Sequence, residues 1–242
     1  MRVIELSHVS FAYEQDRPVL RDVSFTIQNG ESVGLIGANG AGKSTLMKAL
    51  LGLVSAQGVL KVDGLEVSKP NLALIRRKLG FVMQNSDNQM FMPTVGEDMM
   101  FAPLNYGLTR EEAGALVDAA LRQLGMEDMK SRHNHRLSGG EKRMAAIATI
   151  LAMAPEAILM DEPTSTLDPF NRRLIINTIR DLPQTKLITS HDLDMILDTC
   201  ERVILLSEGR IAADGPAEVI LRDREILEAH RMELPLSLSR RE

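Results

Sequence analysis

Cysteine is nearly missing from this chain. Its 242 residues include only Cys200, which excludes an internal disulfide and is expected to be a reduced, buried thiol. Aromatic residues are scarce at 3%, so Phe11-Ala12-Tyr13 stands out. No apolar run approaches the roughly 18 residues of a membrane span, and Glu5 interrupts the stretch that a signal peptide would need. The chain is therefore expected to stay in the cytosol. An excess of positive charge is also absent. A net charge of −5 leaves no basic footprint for nucleic acid. What is present, 44% hydrophobic and 25% charged residues, suits a soluble globular protein able to bury a full core.

The most informative stretch runs from Gly34 to Leu51. Val33 to Ile36 reads as a buried strand, Gly37 to Ser44 matches G-x-x-x-x-G-K-[ST], and Leu46, Ala49 and Leu50 give one apolar side of a helix. With ordinary residue usage, a chance match in a chain this long is on the order of 1 in 100. The glycines let the backbone turn its N–H groups inward around a phosphate, and a helix beginning near Lys43 adds its positive end. Lys43 is placed to reach the β- and γ-phosphates, and the Ser44 hydroxyl to sit on Mg²⁺. This predicts a nucleoside triphosphate site.

Elsewhere the pattern divides the chain by type of secondary structure. Met1 to Ile27 reads as antiparallel strand material, with Asn29-Gly30 as a turn. Tyr13 within it either stacks on an adenine ring or lies half-buried in the sheet, and position alone favours the sheet. A hairpin is expected at Val59–Val62 with Asp63-Gly64. Asn71 is expected to cap a short helix to Lys78, followed by a strand ending at Gln84. From Asn85 to Ala154 the chain turns helical, marked by three capping boxes at Thr94–Glu97, Thr109–Glu112 and Ser138–Glu141. The middle box opens an amphipathic helix stopped by Gly125. His133 and His135 have no carboxylate or thiol at ligand spacing and read as solvated loop residues.

Strand pattern resumes at Ala157–Met160, with Asp161 and Glu162 at its C-terminal end, the edge where open α/β sheets bind ligands. Asp161 is placed to hold Mg²⁺ through water, and Glu162 to act as the base that polarises the attacking water. A helix from Pro169 with Asp168 as N-cap leads to another strand, Lys186–Thr189, which puts His191 on the same edge, within reach of a γ-phosphate. Ala217 to Leu227 reads as one amphipathic helix, and the run Leu236 to Glu242 as disordered. The expected domain is single: an α/β core with its antiparallel part (1–84 and 155–216), a helical insertion (85–154), and a C-terminal helix and tail (217–242).

Taken in order, Gly37–Ser44, Gln84, Leu137–Glu141, Ile158–Glu162, Ser165–Asp168 and His191 resemble the motif set of an ABC transporter ATPase. These are its Walker A, Q-loop, signature, Walker B, D-loop and switch histidine. The resemblance implies a P-loop NTPase (RecA-like) core with an N-terminal antiparallel β subdomain and an inserted helical subdomain. It implies that Asn39, Gly40, Ala41, Gly42, Lys43, Ser44 and Thr45 cradle ATP, and that Tyr13 stacks its adenine. Gln84 would join Ser44 and Asp161 at Mg²⁺ and act with Glu162 and His191 in catalysis. No guanine-reading Asn-Lys-x-Asp occurs, which favours ATP. Ser138, Gly139 and Gly140 open a helix and form a second positive cradle with nothing local to bind. By resemblance, they cap the γ-phosphate of a second subunit packed head to tail. Glu141 stands where the family more often has Gln, which puts a negative charge near phosphate.

The segment from Gln84 to Leu108 resembles the ATPase of energy-coupling factor importers, most of all the cobalt and nickel branch, which often works as a homodimer. Met90, Phe91 and Met92 read either as plain core or as an adaptable surface for a partner helix. Three functions follow. The favoured one is an importer motor, peripheral on the cytoplasmic face of the membrane, paired with itself or with a second ABC ATPase and docked on integral membrane subunits. Within that class a vitamin importer is the alternative cargo. A soluble repair or translation ATPase would need two cassettes or a long coiled-coil insert. A non-hydrolysing regulatory module fits poorly with Glu162 and His191.

Overall fold

Alternation of apolar and polar residues at the start of the chain folds as the expected antiparallel pair, β1 (Arg2–Glu14) and β2 (Arg17–Gln28). The structure, a computed structural model, describes residues 1–14 and 16–239. Then come β3 (Ser32–Ile36), α1 (Lys43–Leu50), β4 (Gln57–Val62), β5 (Leu65–Glu66), α2 (Leu72–Lys78) and β6 (Leu79–Val82). The helical insertion holds α3 (Val95–Asn105), α4 (Arg110–Leu124) and α5 (Gly139–Leu151). The chain returns through β7 (Ala157–Asp161), α6 (Pro169–Asp181), β8 (Thr185–Thr189), α7 (Leu193–Thr199), β9 (Arg202–Ser207) and β10 (Arg210–Pro216). Three short helices close it: α8 (Ala217–Ile220), α9 (Arg224–Ala229) and α10 (Leu236–Ser239). Among the described residues, no helix is long and apolar enough to cross a membrane.

Two sheets result, one in the order β2-β1-β4-β5 and one in the order β10-β9-β3-β8-β7-β6. The second is parallel except at β10, so β3, β6, β7, β8 and β9 all end at one edge. Because side chains alternate across a strand, its two faces feed two cores. Ile158, Met160 and Ile188 pack with α5, α6 and α7, whereas Leu159, Leu187 and Ile204 pack with the antiparallel sheet. Helix α1 contributes Leu46, Met47, Ala49 and Leu50 to this second core. Helix α1 is thus anchored in the core shared by the two sheets.

Local signals translate directly. All three capping boxes are closed in both directions, and Gly125 ends α4 at φ 65°. Asp63 and Gly64 both take positive φ, 47° and 75°, as a type I′ hairpin turn requires.

Three expectations are corrected. Asn71 does not cap α2: Pro70 starts a 3-10 turn at Lys69–Asn71, so the backbone is already helical at Asn71, whose amide donates to the Glu66 carbonyl at 3.0 Å. The segment 217–227 is two helices, because the Asp223 carboxylate accepts from Ile226 N (3.0 Å) and starts α9 afresh. Leu236–Ser239 is a helical turn, held by Asp194, which accepts from Leu236 N and Ser237 N at 3.1 Å each. The last three residues of that run lie outside the described residues.

In α4, Ala113, Val117, Ala120 and Leu121 are buried, with Leu124 packed against the same core. Leu121→Ala leaves a cavity there and is expected to cost about 3 kcal/mol, or roughly 6–12 °C in melting temperature for a chain of this size. ATP affinity should stay near the parent value, since α4 is remote from the phosphate loop. Thermal unfolding and ATP titration check both halves.

Candidate functional site

The loop after β3 is built around close backbone contacts. At Gly37 (φ 148°) an added Cβ would lie 2.1 Å from the Leu206 carbonyl oxygen, and at Gly42 (φ 110°) 2.9 Å from that of Val19. The loop is tied down further on. Ala41 O accepts from Gly209 N (3.2 Å), and Gly209 O accepts from Arg21 N (2.8 Å). Strands β2 and β9 therefore clamp the loop, while Asn39 and Gly40 remain exposed at its tip. Lys43 and Thr45 are buried at the start of α1, and Ser44 between them is exposed.

Lys43 is the charge at the centre. Its ammonium donates to the carbonyls of Gly37 (2.5 Å) and Ala38 (3.2 Å). Burial pushes its pKa down, and Glu162 and then Asp161 act on it in the opposite sense from a distance. Among the described residues no carboxylate makes an ion pair with it. A buried cation without a contacting anion, at the start of a helix that follows a glycine-bearing loop, fits a phosphate ligand.

Sheet register brings the carboxylates to it. Thr189 at the end of β8 pairs with Leu35 on one side and Asp161 on the other. Its hydroxyl donates to Asp161 Oδ1 at 2.6 Å and accepts from Glu162 N at 3.3 Å. Asp161 Oδ2 and the Ser44 hydroxyl have no hydrogen-bond partner among the described residues. Two hard oxygens free at one edge suit Mg²⁺, which binds through one or two protein oxygens plus phosphates. No group of three or more His, Cys, Asp or Glu that could hold a metal unaided occurs among the described residues. His133 and His135 are both exposed, as expected of loop residues.

Glu162 sits at φ 49° and its side chain is only 12% exposed. Its Oε2 accepts from His191 N (3.1 Å) and Ser190 Oγ (3.4 Å), and its Oε1 lies 3.5 Å from His191 Nε2. Next to His191, Asp192 forms a two-pronged ion pair with Arg172 (2.5 and 2.7 Å) that locks the start of α7 to α6. Glu162, His191 and Gln84 line one cleft of about 790 Å³ with Thr164, Ser165, Leu236 and Ser237.

Tyr13 is 58% exposed and packs edge-on against Phe11 at 4.8 Å. The half-buried placement is thereby corrected. It sits where β1 pairs with the start of β2, the strand whose Val19 and Leu20 pack on Gly42, so the ring stands on the hairpin that leans over the loop. Ser138 and Gly139 are exposed at the N-terminus of α5. Glu141 closes its capping box on Ser138 and also accepts from Arg132 Nη1 at 2.5 Å. The Ser138 bonds, and Arg132 beside them, hold its carboxyl below the usual range, and the ion pair offsets the charge that the Glu brings.

A family model described as "ABC transporter" matches residues 20–165. The chain belongs to the ABC transporter ATPase family. A Geobacter sulfurreducens protein whose name goes no further than ABC transporter ATP-binding protein is 46% identical over 98% of this chain and 95% of its own length. The energy-coupling factor transporter ATP-binding protein EcfA of Methanothermobacter thermautotrophicus is 42% identical over 96% and 77%. Among solved structures, cbiO1 from Clostridium perfringens, part of the ABC transporter complex cbiONQ, superposes with TM-score 0.85 at 30% identity over 94% of both chains. The fold is thus an ABC ATPase fold.

Sequence reasoning missed Thr189, whose role depends on strand order. It also missed the C-terminal turn beside His191, because Asp194 and Leu236 are far apart in the chain. An ABC ATPase with Gly37→Ala must move either the loop or Leu206, so it is expected to lose ATP affinity and melt lower than the parent. Gly40→Ala meets open space and carries only the roughly 1–2 kcal/mol of a left-handed residue. Equal loss of ATP binding in the two variants would contradict the clamp.

Proposed function

We propose that this chain is the ATP-hydrolysing motor of an energy-coupling factor importer, with cobalt or nickel ions as its cargo. One observation carries the hydrolytic part: a largely buried Glu162 carboxylate, fixed by the His191 backbone and facing the His191 ring, on the same sheet edge as Lys43 and Asp161. In this reading the loop from Asn39 to Thr45 cradles the phosphates, Tyr13 stacks the adenine and Lys43 turns its ammonium from two carbonyls to phosphate oxygens. Ser44, Asp161 and Gln84 would hold Mg²⁺, which when bound would offset phosphate charge. Glu162 orients a water and takes its proton, a step worth roughly 100-fold to 10,000-fold. His191 keeps that carboxylate aimed.

Ser138 and Gly139 are exposed at the start of α5, with Gly140 buried against Asn171, and in this reading the three residues complete the site of a second subunit, head to tail. That subunit is a second copy or a related ATPase. Membrane subunits dock on the exposed surface after Gln84. Phe91 is 62% exposed and stacks edge-on with Phe101 at 4.8 Å, leaving a raised aromatic pair for a partner helix. Met90 and Asp98 in the same segment are buried and do not belong to that surface. Asp98 instead accepts from Phe91 N (3.2 Å), Met92 N (3.1 Å) and the Asn134 amide. The likeness of Gln84–Leu108 to the cobalt and nickel branch and the likeness to cbiO1 support the cargo, while the EcfA relatives support the energy-coupling factor class.

Glu162→Gln should bind ATP like the parent and hydrolyse it roughly 100-fold to 10,000-fold more slowly. Cells carrying it in place of the parent should lose cobalt or nickel uptake. Parent-rate hydrolysis would remove Glu162 as the base. Loss of uptake of a vitamin, with neither metal affected, would keep the motor and change its cargo.

A further inference from the structure

Arg143 is 3% exposed, on the second turn of α5, and forms no ion pair among the described residues. Burial disfavours its charge, yet its guanidinium makes no use of a carboxylate. Nη1 donates to Met83 O at 2.6 Å and Nη2 to Gln84 O at 2.5 Å. These are successive carbonyls of the chain just past the end of β6. The rigid fork of a guanidinium matches such a pair, and a lysine can reach only one of them well. Carrying a cation unpaired into the interior is costly, so this contact does something a methionine at the same place would not.

Two further bonds run the same way. Gln89 Oε1 accepts from Met83 N (3.1 Å) while its Nε2 donates to Ala146 O (2.7 Å) and Thr149 Oγ1 (3.0 Å) on α5. Lys142 Nζ meets Asp87 Oδ1 at 2.5 Å. The loop from Met83 to Gln89 is thus fastened to α5 at both ends and at its middle, whereas its Gln84 side chain stays exposed on the cleft that holds Glu162. Ser138 caps that same helix, five residues before Arg143.

We propose that Arg143 is a positioning residue: by gripping the Met83 and Gln84 carbonyls it makes Gln84 and Ser138 move as one body on α5. The proposal rests on the role given to Gln84 under the proposed function.

The test is a double-mutant cycle in the full chain with Arg143→Met, Gln84→Ala and the pair, reading kcat and KM for ATP. Arg143→Met should lower kcat about 10-fold, in line with misplacement of a catalytic group, with KM within about two-fold because the Lys43 cradle is untouched. Gln84→Ala should lower it similarly, and the pair should be no slower than either alone, since one acts through the other. Arg143→Lys should recover part of the rate, and it carries the cycle if Arg143→Met does not fold. If the two losses multiply, Arg143 acts elsewhere and the proposal fails while Gln84 keeps its role. If Gln84→Ala turns over at the parent rate, both the role of Gln84 and the proposal fall. Parent-rate turnover of Arg143→Met, or a loss of kcat matched by weakened ATP binding, also overturns it.

Discussion

A buried ammonium at the end of a parallel strand sets the terms for the rest of this chain. Lys43 is held under the loop by the carbonyls of Gly37 and Ala38, and no carboxylate pairs with it among the described residues. An uncompensated buried cation is unfavourable unless something anionic completes it. The fold supplies distant compensation through Glu162 and Asp161 and leaves the near position for a ligand. Both packing layers serve that arrangement: the antiparallel sheet holds β2 against the loop, and the parallel register brings β7 and β8 alongside. The glycines at 37 and 42 are there because strands press on the loop from Leu206 and Val19.

The same edge gives the carboxylates of the adjacent residues Asp161 and Glu162 different surroundings. Asp161 still pairs with Thr189 in the ladder, so its free oxygen stays at the rim. Glu162 turns out of the strand at positive φ and is folded under His191. One keeps an oxygen outside the hydrogen bond to Thr189; the other is oriented and only 12% exposed. The exposed opening of α5, by contrast, has its capping box closed between Ser138 and Glu141. The proposed pairing of two chains rests on that exposed helix start.

Much of this was legible from local sequence. Capping boxes depend on residues three apart, and the Asp63-Gly64 turn on its own two φ angles, so neither needs tertiary knowledge. The strand-loop-helix of Val33 to Leu50 carries its ligand preference in its glycines and lysine. What escaped were contacts between elements remote in the chain: Thr189 between β3 and β7, Arg143 on Met83 and Gln84, and Asp194 on Leu236 and Ser237. Tyr13 was misplaced because alternation assigns a face but not what covers it. Asn71 and the 217–227 helix failed for a different reason. Pro70 and Asp223 redirected the backbone one step away from where periodicity put the boundary.

The central claim is that the phosphate site of one chain is finished by Ser138 of a second. Mixing chains carrying Ser138→Arg with chains carrying Lys43→Ala tests it most directly. In a head-to-tail pair both defects fall in one composite site and the other site is intact, whereas each variant alone spoils both sites. Equilibrium binding of ATP to the mixture should recover toward half of the parent's sites. Binding by the mixture no greater than the average of the two separate variants would contradict the shared site.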